Sequence, residues 1–264
     1  MTTISKNITL EGIGLHSGIK CKTTLMPFHK NGIHFKFGNN ISEAIAEKVC
    51  DTSRCTMLDL DGHKVQTCEH LLAVIYALNI NSILIEMDRD EVPTFDGSGR
   101  VWYNSLKDII TGEPTPSKTI PEPISVEDKD AYIKAYPADN FQIEYHLDYS
   151  HPMIGKSDFI YTPDKFEKYI SCSRTFALYE EVEFLRQQGL AKGGNEENCI
   201  VVFHDKLSTP LRHENEFATH KILDLLGDLS LCGESLKINI IAHKSGHKLN
   251  NIFAKEIRKV MQHA

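Results

Sequence analysis

The sequence predicts an α+β protein of two similar halves, each with its strands first and its helices after. Three observations predict this. Short strand-like runs punctuated by Gly and Asn fill the chain from Ile4 to about Leu60, and similar runs return from Ile124 to Tyr161. After each stretch comes a helix–strand–helix series, opened by His70 in the first half and by His220 in the second. The apolar runs HLLAVIYAL and HKILDLLGDL start there at the same phase. Between the halves lies EPTPSKTIPEP, whose prolines favour extended backbone and cannot sustain a helix. The expected division is 1–112, a linker at 113–123, and 124–264. Identity between the halves is low, so coincidence of two common patterns is the competing reading.

Taken in order, Cys21–Leu25 and Ile33–Phe37 are strands, and Thr67–Asn79 carries a helical apolar pattern. Ser82–Met87 is a short apolar strand, and Arg100–Ile110 is the second helix. In the second half, YIKAY and FQIEYHL are strands, Tyr179–Gln188 a helix and Cys199–Phe203 a strand. A helix at Glu216–Leu231, a strand at Lys237–Ala242 and a last helix from about Lys248 complete the chain.

The 264 residues include 41% hydrophobic and 25% charged side chains, enough to bury a full core. A net charge of −7 and the lack of a long basic run argue against a general nucleic-acid binder. No apolar stretch reaches the roughly 20 residues that cross a bilayer, and Met1–Glu11 lacks a signal-peptide core. Seven cysteines, with no C-x-x-C pair, fit reduced thiols. The expectation is a cytoplasmic protein, and nothing demands more than a monomer.

Three pieces carry chemistry: Glu69-His70, His220-x-x-x-Asp224 with Asp228 one turn further, and the glycine-flanked His247 of KSGHKLNN. Residues i and i+4 share a helix face, so His220 and Asp224 can reach one ion. A polar stripe on an otherwise apolar helix needs partners, and a metal is one. His70 from the other half would complete a two-histidine, one-carboxylate set, usual for catalytic zinc with a fourth position for water. The same set accepts iron(II). Glu69 is suited to general base, and His247, oriented by Asp228, to general acid. Each piece also has a plainer reading, as a solvated helix face or a satisfied core histidine.

GIGLHSG (12–18), TCEHLLA (67–73), VPTFDGSG (92–99), SRTF (173–176), HKILDLLGDL (220–229) and KSGHKLNN (244–251) occur in one order. Together they closely resemble the UDP-3-O-acyl-N-acetylglucosamine deacetylases, zinc amidases of lipid A synthesis in Gram-negative bacteria. The resemblance implies two β-α-α-β sandwich domains with the active site between them. It implies one catalytic zinc on His70, His220 and Asp224, Glu69 as base, and His247 as acid bonded to Asp228. Thr175 would bond the oxyanion, and Lys221 and Lys244 would face the sugar and diphosphate. On residue type alone, both lysines read as ordinary surface residues. DYSHP (148–152) resembles the segment that holds uracil, with Asp148 and Tyr149 at its head and Tyr149 standing where Phe is usual. The insert near 177–203 would form a tunnel for the acyl chain, lined by Phe176, Tyr179, Val182 and Ala191; ordinary core packing is the alternative for Val182 and Ala191. Departures are DGSG for the usual DGSA, almost no C-terminal tail, and no fused dehydratase domain. Cys55 and Cys68 lie near the metal set in sequence, where a buried structural thiol is the reading preferred over a competing ligand. A zinc amidohydrolase for another N-acetyl sugar and a structural-metal binding module are the alternatives.

Overall fold

The structure, a computed structural model, describes residues 1–263. Two five-stranded sheets carry the two halves. The first has the spatial order Ile8–Ile13, Lys20–Pro27, Ser82–Met87, Gly32–Phe37, Asn40–Glu43. The second runs Ile124–Asp128, Ala131–Pro137, Ile238–His243, Gln142–Asp148, Lys156–Tyr161. In both, the strand last in sequence enters at the centre, antiparallel to the second and parallel to the third. The outer pairs are antiparallel hairpins in both. Chance likeness of two apolar runs would not reproduce five strand positions and every strand direction. The two halves share one α+β plan.

Five α-helices accompany the sheets: α1 (Glu69–Ala77), α2 (Arg100–Leu106), α3 (Tyr179–Gln187), α4 (Glu216–Ser230) and α5 (His247–His263). Each half carries an insertion between its fourth sheet strand and its first packing helix. The first is a three-stranded sheet of Val49–Asp51, Met57–Leu60 and His63–Val65. The second pairs Phe176–Leu178 in parallel with Ile200–Val202, with α3 between them. The two insertions meet where Arg54 Nη1 lies 3.6 Å from Glu181 Oε1.

Helix α4 is buried on all sides except at Lys221. Its apolar residues explain that burial, but Glu216, His220, Asp224 and Asp228 recur every fourth residue among them. Four ionisable groups on one buried stripe require partners, since a lone buried charge is costly. Alongside, α1 packs so closely that a Cβ at Gly227 would overlap the carbonyl oxygen of Glu69. Only glycine allows that approach.

Several expected boundaries move. The histidines do not open equivalent helices: His70 is the second residue of α1, whereas α4 begins four residues before His220. Helix α2 stops at Leu106 rather than Ile110, because Ile110–Gly112 leaves it to pair antiparallel with Thr2–Ile4 and bury Ile4. Thr67 is outside α1, at a left-handed φ of 58°. Segment 113–123 is extended but docked: Lys118 bridges Leu236 and Ile120 is buried.

Candidate active site

The stripe on α4 finds its partners in the other half. His70 Nε2 lies 3.3 Å from His220 Nε2 and 3.3 Å from Asp224 Oδ1, and His220 Nε2 lies 3.4 Å from Asp224 Oδ1. The three atoms form a nearly equilateral triangle. An ion bound tetrahedrally at about 2.0–2.1 Å has ligand-to-ligand edges of about 3.3–3.4 Å by geometry. The triangle therefore fits a tetrahedral metal site on three protein ligands. Among the described residues these are the three that converge in this way. Neither Cys55 nor Cys68 belongs to the group; the Cys68 thiol donates instead to the Thr56 carbonyl at 3.5 Å.

Protonation states suit a cation. Burial holds His220 neutral, well below the usual histidine range, and outweighs the pull of Asp224. Its Nδ1 is buried without a protein partner. Burial opposes ionisation of Asp224, yet the cations of Lys221 and His247 keep its carboxyl well below the usual range. The Lys221 ammonium donates to Asp224 Oδ2 at 3.0 Å and sits 5.4 Å above the Phe176 ring. It is no ordinary surface lysine. Burial would discharge it, but Asp224 leads the groups that keep it charged.

Two proton-transfer groups flank the triangle. Glu69 is buried, and burial lifts its carboxyl above the usual value although His247 and His70 oppose the rise. Its Oε1 stands 3.9 Å from His247 Nε2, and its Oε2 accepts the Thr56 N–H at 3.3 Å. His247 opens α5. The special backbone before it is at Lys244, with a left-handed φ of 53°. His247 Nδ1 meets Asp228 Oδ2 at 2.9 Å, which leaves Nε2 facing the site. Burial disfavours the imidazolium, but Asp228, then Asp224 and Glu69, lift it to about 10. Asp228 also accepts from Asn250 Nδ2 at 3.0 Å and from the Thr56 hydroxyl.

The triangle, Glu69 and His247 line a cavity of about 610 Å³, a size typical of ligand sites. Thr175, Tyr149, Lys221 and Lys244 line it, and Phe176 packs edge-on against His220 at 5.4 Å. The second insertion adds Val182, Leu185 and Ala191 to the lining, near Leu15, with Tyr179 stacked on Phe203 at 4.9 Å; Glu181 and Arg186 of α3 line the cavity as well. Asp148 is not in the lining. It pairs with Lys156 at 3.2 Å and lies 3.6 Å from Lys244 Nζ, beside the cavity.

Sequence reasoning missed Thr56, Glu216, Arg174 and Asn250. Glu216 had a signal: it is four residues before His220, on the same stripe. It forms a buried pair with Arg174, at 2.8 Å to Nε and 3.0 Å to Nη2, which anchors the segment that runs through Thr175 into the strand Phe176–Leu178. Thr56 had none, because it reaches Asp228 across 172 positions of sequence.

The model of the LpxC family, UDP-3-O-acyl N-acetylglycosamine deacetylase, matches residues 1–259. A curated UDP-3-O-acyl-N-acetylglucosamine deacetylase of Myxococcus xanthus is 40% identical, over 98% of this chain and 85% of its own length. That of Oleidesulfovibrio alaskensis is 38% identical over 97% and 88%, and that of Synechocystis 36% over 97% of each.

Proposed function

The chain belongs to the UDP-3-O-acyl N-acetylglycosamine deacetylase family, and we propose from that premise that it hydrolyses the acetamido group of a UDP-linked 3-O-acyl-N-acetylglucosamine. The products are acetate and a free amine, and the reaction is the committed step of lipid A biosynthesis. One observation carries the reading: a metal-fitting triangle lies beside a buried carboxylate and a cationic imidazole, all lining a cavity that the second insertion also lines with Val182, Leu185 and Ala191.

We assign zinc to His70, His220 and Asp224, one ion per chain, with iron(II) the alternative occupant of such a set. When bound, the ion would polarise the amide carbonyl and acidify a water. Glu69 takes the proton of the attacking water, its raised carboxyl being closer to working pH than an ordinary one. His247 gives a proton from Nε2 to the leaving nitrogen, while Asp228 holds Nδ1 and sets the ring. The Thr175 hydroxyl bonds the developing oxyanion. Lys221 and Lys244 meet the sugar and diphosphate, with Lys244 held by Asp130 at 2.7 Å and by the more distant Asp148 at 3.6 Å. Tyr149 stacks on uracil. Phe176, Tyr179, Val182 and Ala191 receive the acyl chain. Cysteines without a disulfide support a reducing compartment, the cytoplasm. Among the described residues no helix is long and apolar enough to cross a membrane.

The test is acetate release from the UDP-acyl-sugar by metal-analysed protein, with Glu69→Ala and His247→Ala alongside. Turnover near that of the wild type in both variants would end this assignment.

A further inference from the structure

The GIGLHSG run is a sequence motif that the chemistry above leaves unused. Its loop, Gly14–Gly18, is held by a buried carboxylate. Glu91, 2% exposed, accepts the N–H of His16 at 2.7 Å, the N–H of Ser17 at 2.8 Å and the Thr67 hydroxyl at 3.1 Å. Gly14 admits that carboxylate, since a Cβ there would overlap Glu91 Oε2. The opposite edge of the loop carries the end of the α3 insertion. The carbonyls of Leu15 and His16 accept the N–H groups of Gly193 at 3.0 Å and Lys192 at 3.2 Å. Gly193 is pressed so close that a Cβ on it would overlap the Gly14 carbonyl oxygen. Ala191 and Gly194, on either side of these two bonds, line the cavity together with Leu15.

We propose that Glu91 is a positioning residue for acyl-chain selection, fixing the Gly14–Gly18 loop and through it the Ala191–Gly194 turn that lines the cavity. This rests on the acyl-chamber reading given above. A carboxylate suits the task because its two oxygens satisfy two backbone donors at once where the side chain is buried. Glu91 itself touches neither the ion ligands nor the proposed acid and base. Its effect should therefore follow the acyl chain rather than the chemistry.

The experiment compares kcat and KM on the 3-O-dodecanoyl and 3-O-acetyl forms of UDP-N-acetylglucosamine. Glu91→Gln keeps the shape but turns an NH2 against one of the two loop N–H groups. Gly193→Ala forces the same loop and turn apart from the other side without altering Glu91. In both variants the dodecanoyl substrate should lose about tenfold in kcat/KM, mostly through KM, the weight of one charge-assisted hydrogen bond. The acetyl substrate should change by less than about twofold. The amides of Lys192 and Gly193 should exchange hydrogen faster in Glu91→Gln. Equal losses on both substrates, or a long-chain preference that survives in both variants, overturn the inference. If Glu91→Gln does not fold, Gly193→Ala decides. A wild type with no preference for the long chain overturns the acyl-chamber reading and the inference with it.

Discussion

Replacing Asp228 by Asn removes the charge beside His247 and leaves the side chain's shape. Asp228 is fully buried and meets His247 Nδ1 at 2.9 Å. Burial works against the imidazolium, and Asp228 is the leading group that overcomes it and brings the ring to about 10. A hydrogen bond to a charged partner contributes ~1.5–3 kcal/mol. At ~1.36 kcal/mol per pKa unit, its loss lowers the His247 pKa by about 1–2 units. A divalent ion on Asp224 would neutralise that carboxylate and lower the starting value, but the difference between variant and wild type persists. As the proposed acid, His247 must be protonated to act, so its pKa would set the basic limb of the kcat profile. In Asp228→Asn that limb should move to lower pH by about 1–2 units. The rate deficit should therefore grow with pH, reaching about ten- to a hundredfold on the alkaline side. The assay is acetate release across the pH range, with metal content and Tm measured on the same samples. A folded, metal-loaded variant whose basic limb stays in place refutes the pairing of Asp228 with the acid.

Glu216→Gln breaks a buried pair from one side, which costs ~3–5 kcal/mol and should lower Tm by about 10 °C in a scanning measurement. Burial opposes ionisation of Glu216, but bonds from Arg174 and the Arg212 N–H hold its carboxyl below 4.5. Its contribution is thus complete above that value and lost as pH falls through the lower folded pKa, so the Tm gap to the variant should shrink in acid. Restoring metal to chelator-treated protein at about 100 times its Kd should add ~2.7 kcal/mol of stability, while His70→Ala should show no such gain. Gly227→Ala should destabilise by ~1–3 kcal/mol and reduce kcat, because the new Cβ displaces the backbone of Glu69. Unchanged kcat and Tm would mean that the helices separate freely.

The legible parts of this molecule were those with a short period or a close spacing. Apolar runs gave α1, α4 and Ser82–Met87 to within a residue or two, and the i+4 step gave His220 and Asp224. The shared sheet order was hidden, because the central strand of each sheet lies far in sequence from its neighbours. Helix α2 was overextended because Ile109 and Ile110 continue its apolar pattern, while pairing with Thr2–Ile4 is a long-range event. Lys221 read as solvated because lysines usually are; its cation is retained by Asp224 three residues on. The role of Thr56 depends on the joining of two halves, which no local pattern records.

The missing side chain at Gly227 has a further consequence. With backbone meeting backbone there, α1 and α4 cannot part without separating Glu69 and His70 from His220 and Asp224. A clam-like opening of the two halves would dismantle the metal-fitting triangle, so the proposed reaction requires the halves to stay together. The two insertions border the cavity, with Thr52–Cys55 from one and Tyr179–Leu185 from the other. The molecule thus sets a closely packed seam apart from two insertions that stand outside the shared sheets. Diversity in substrate preference can accumulate in the insertions while the reaction itself stays the same.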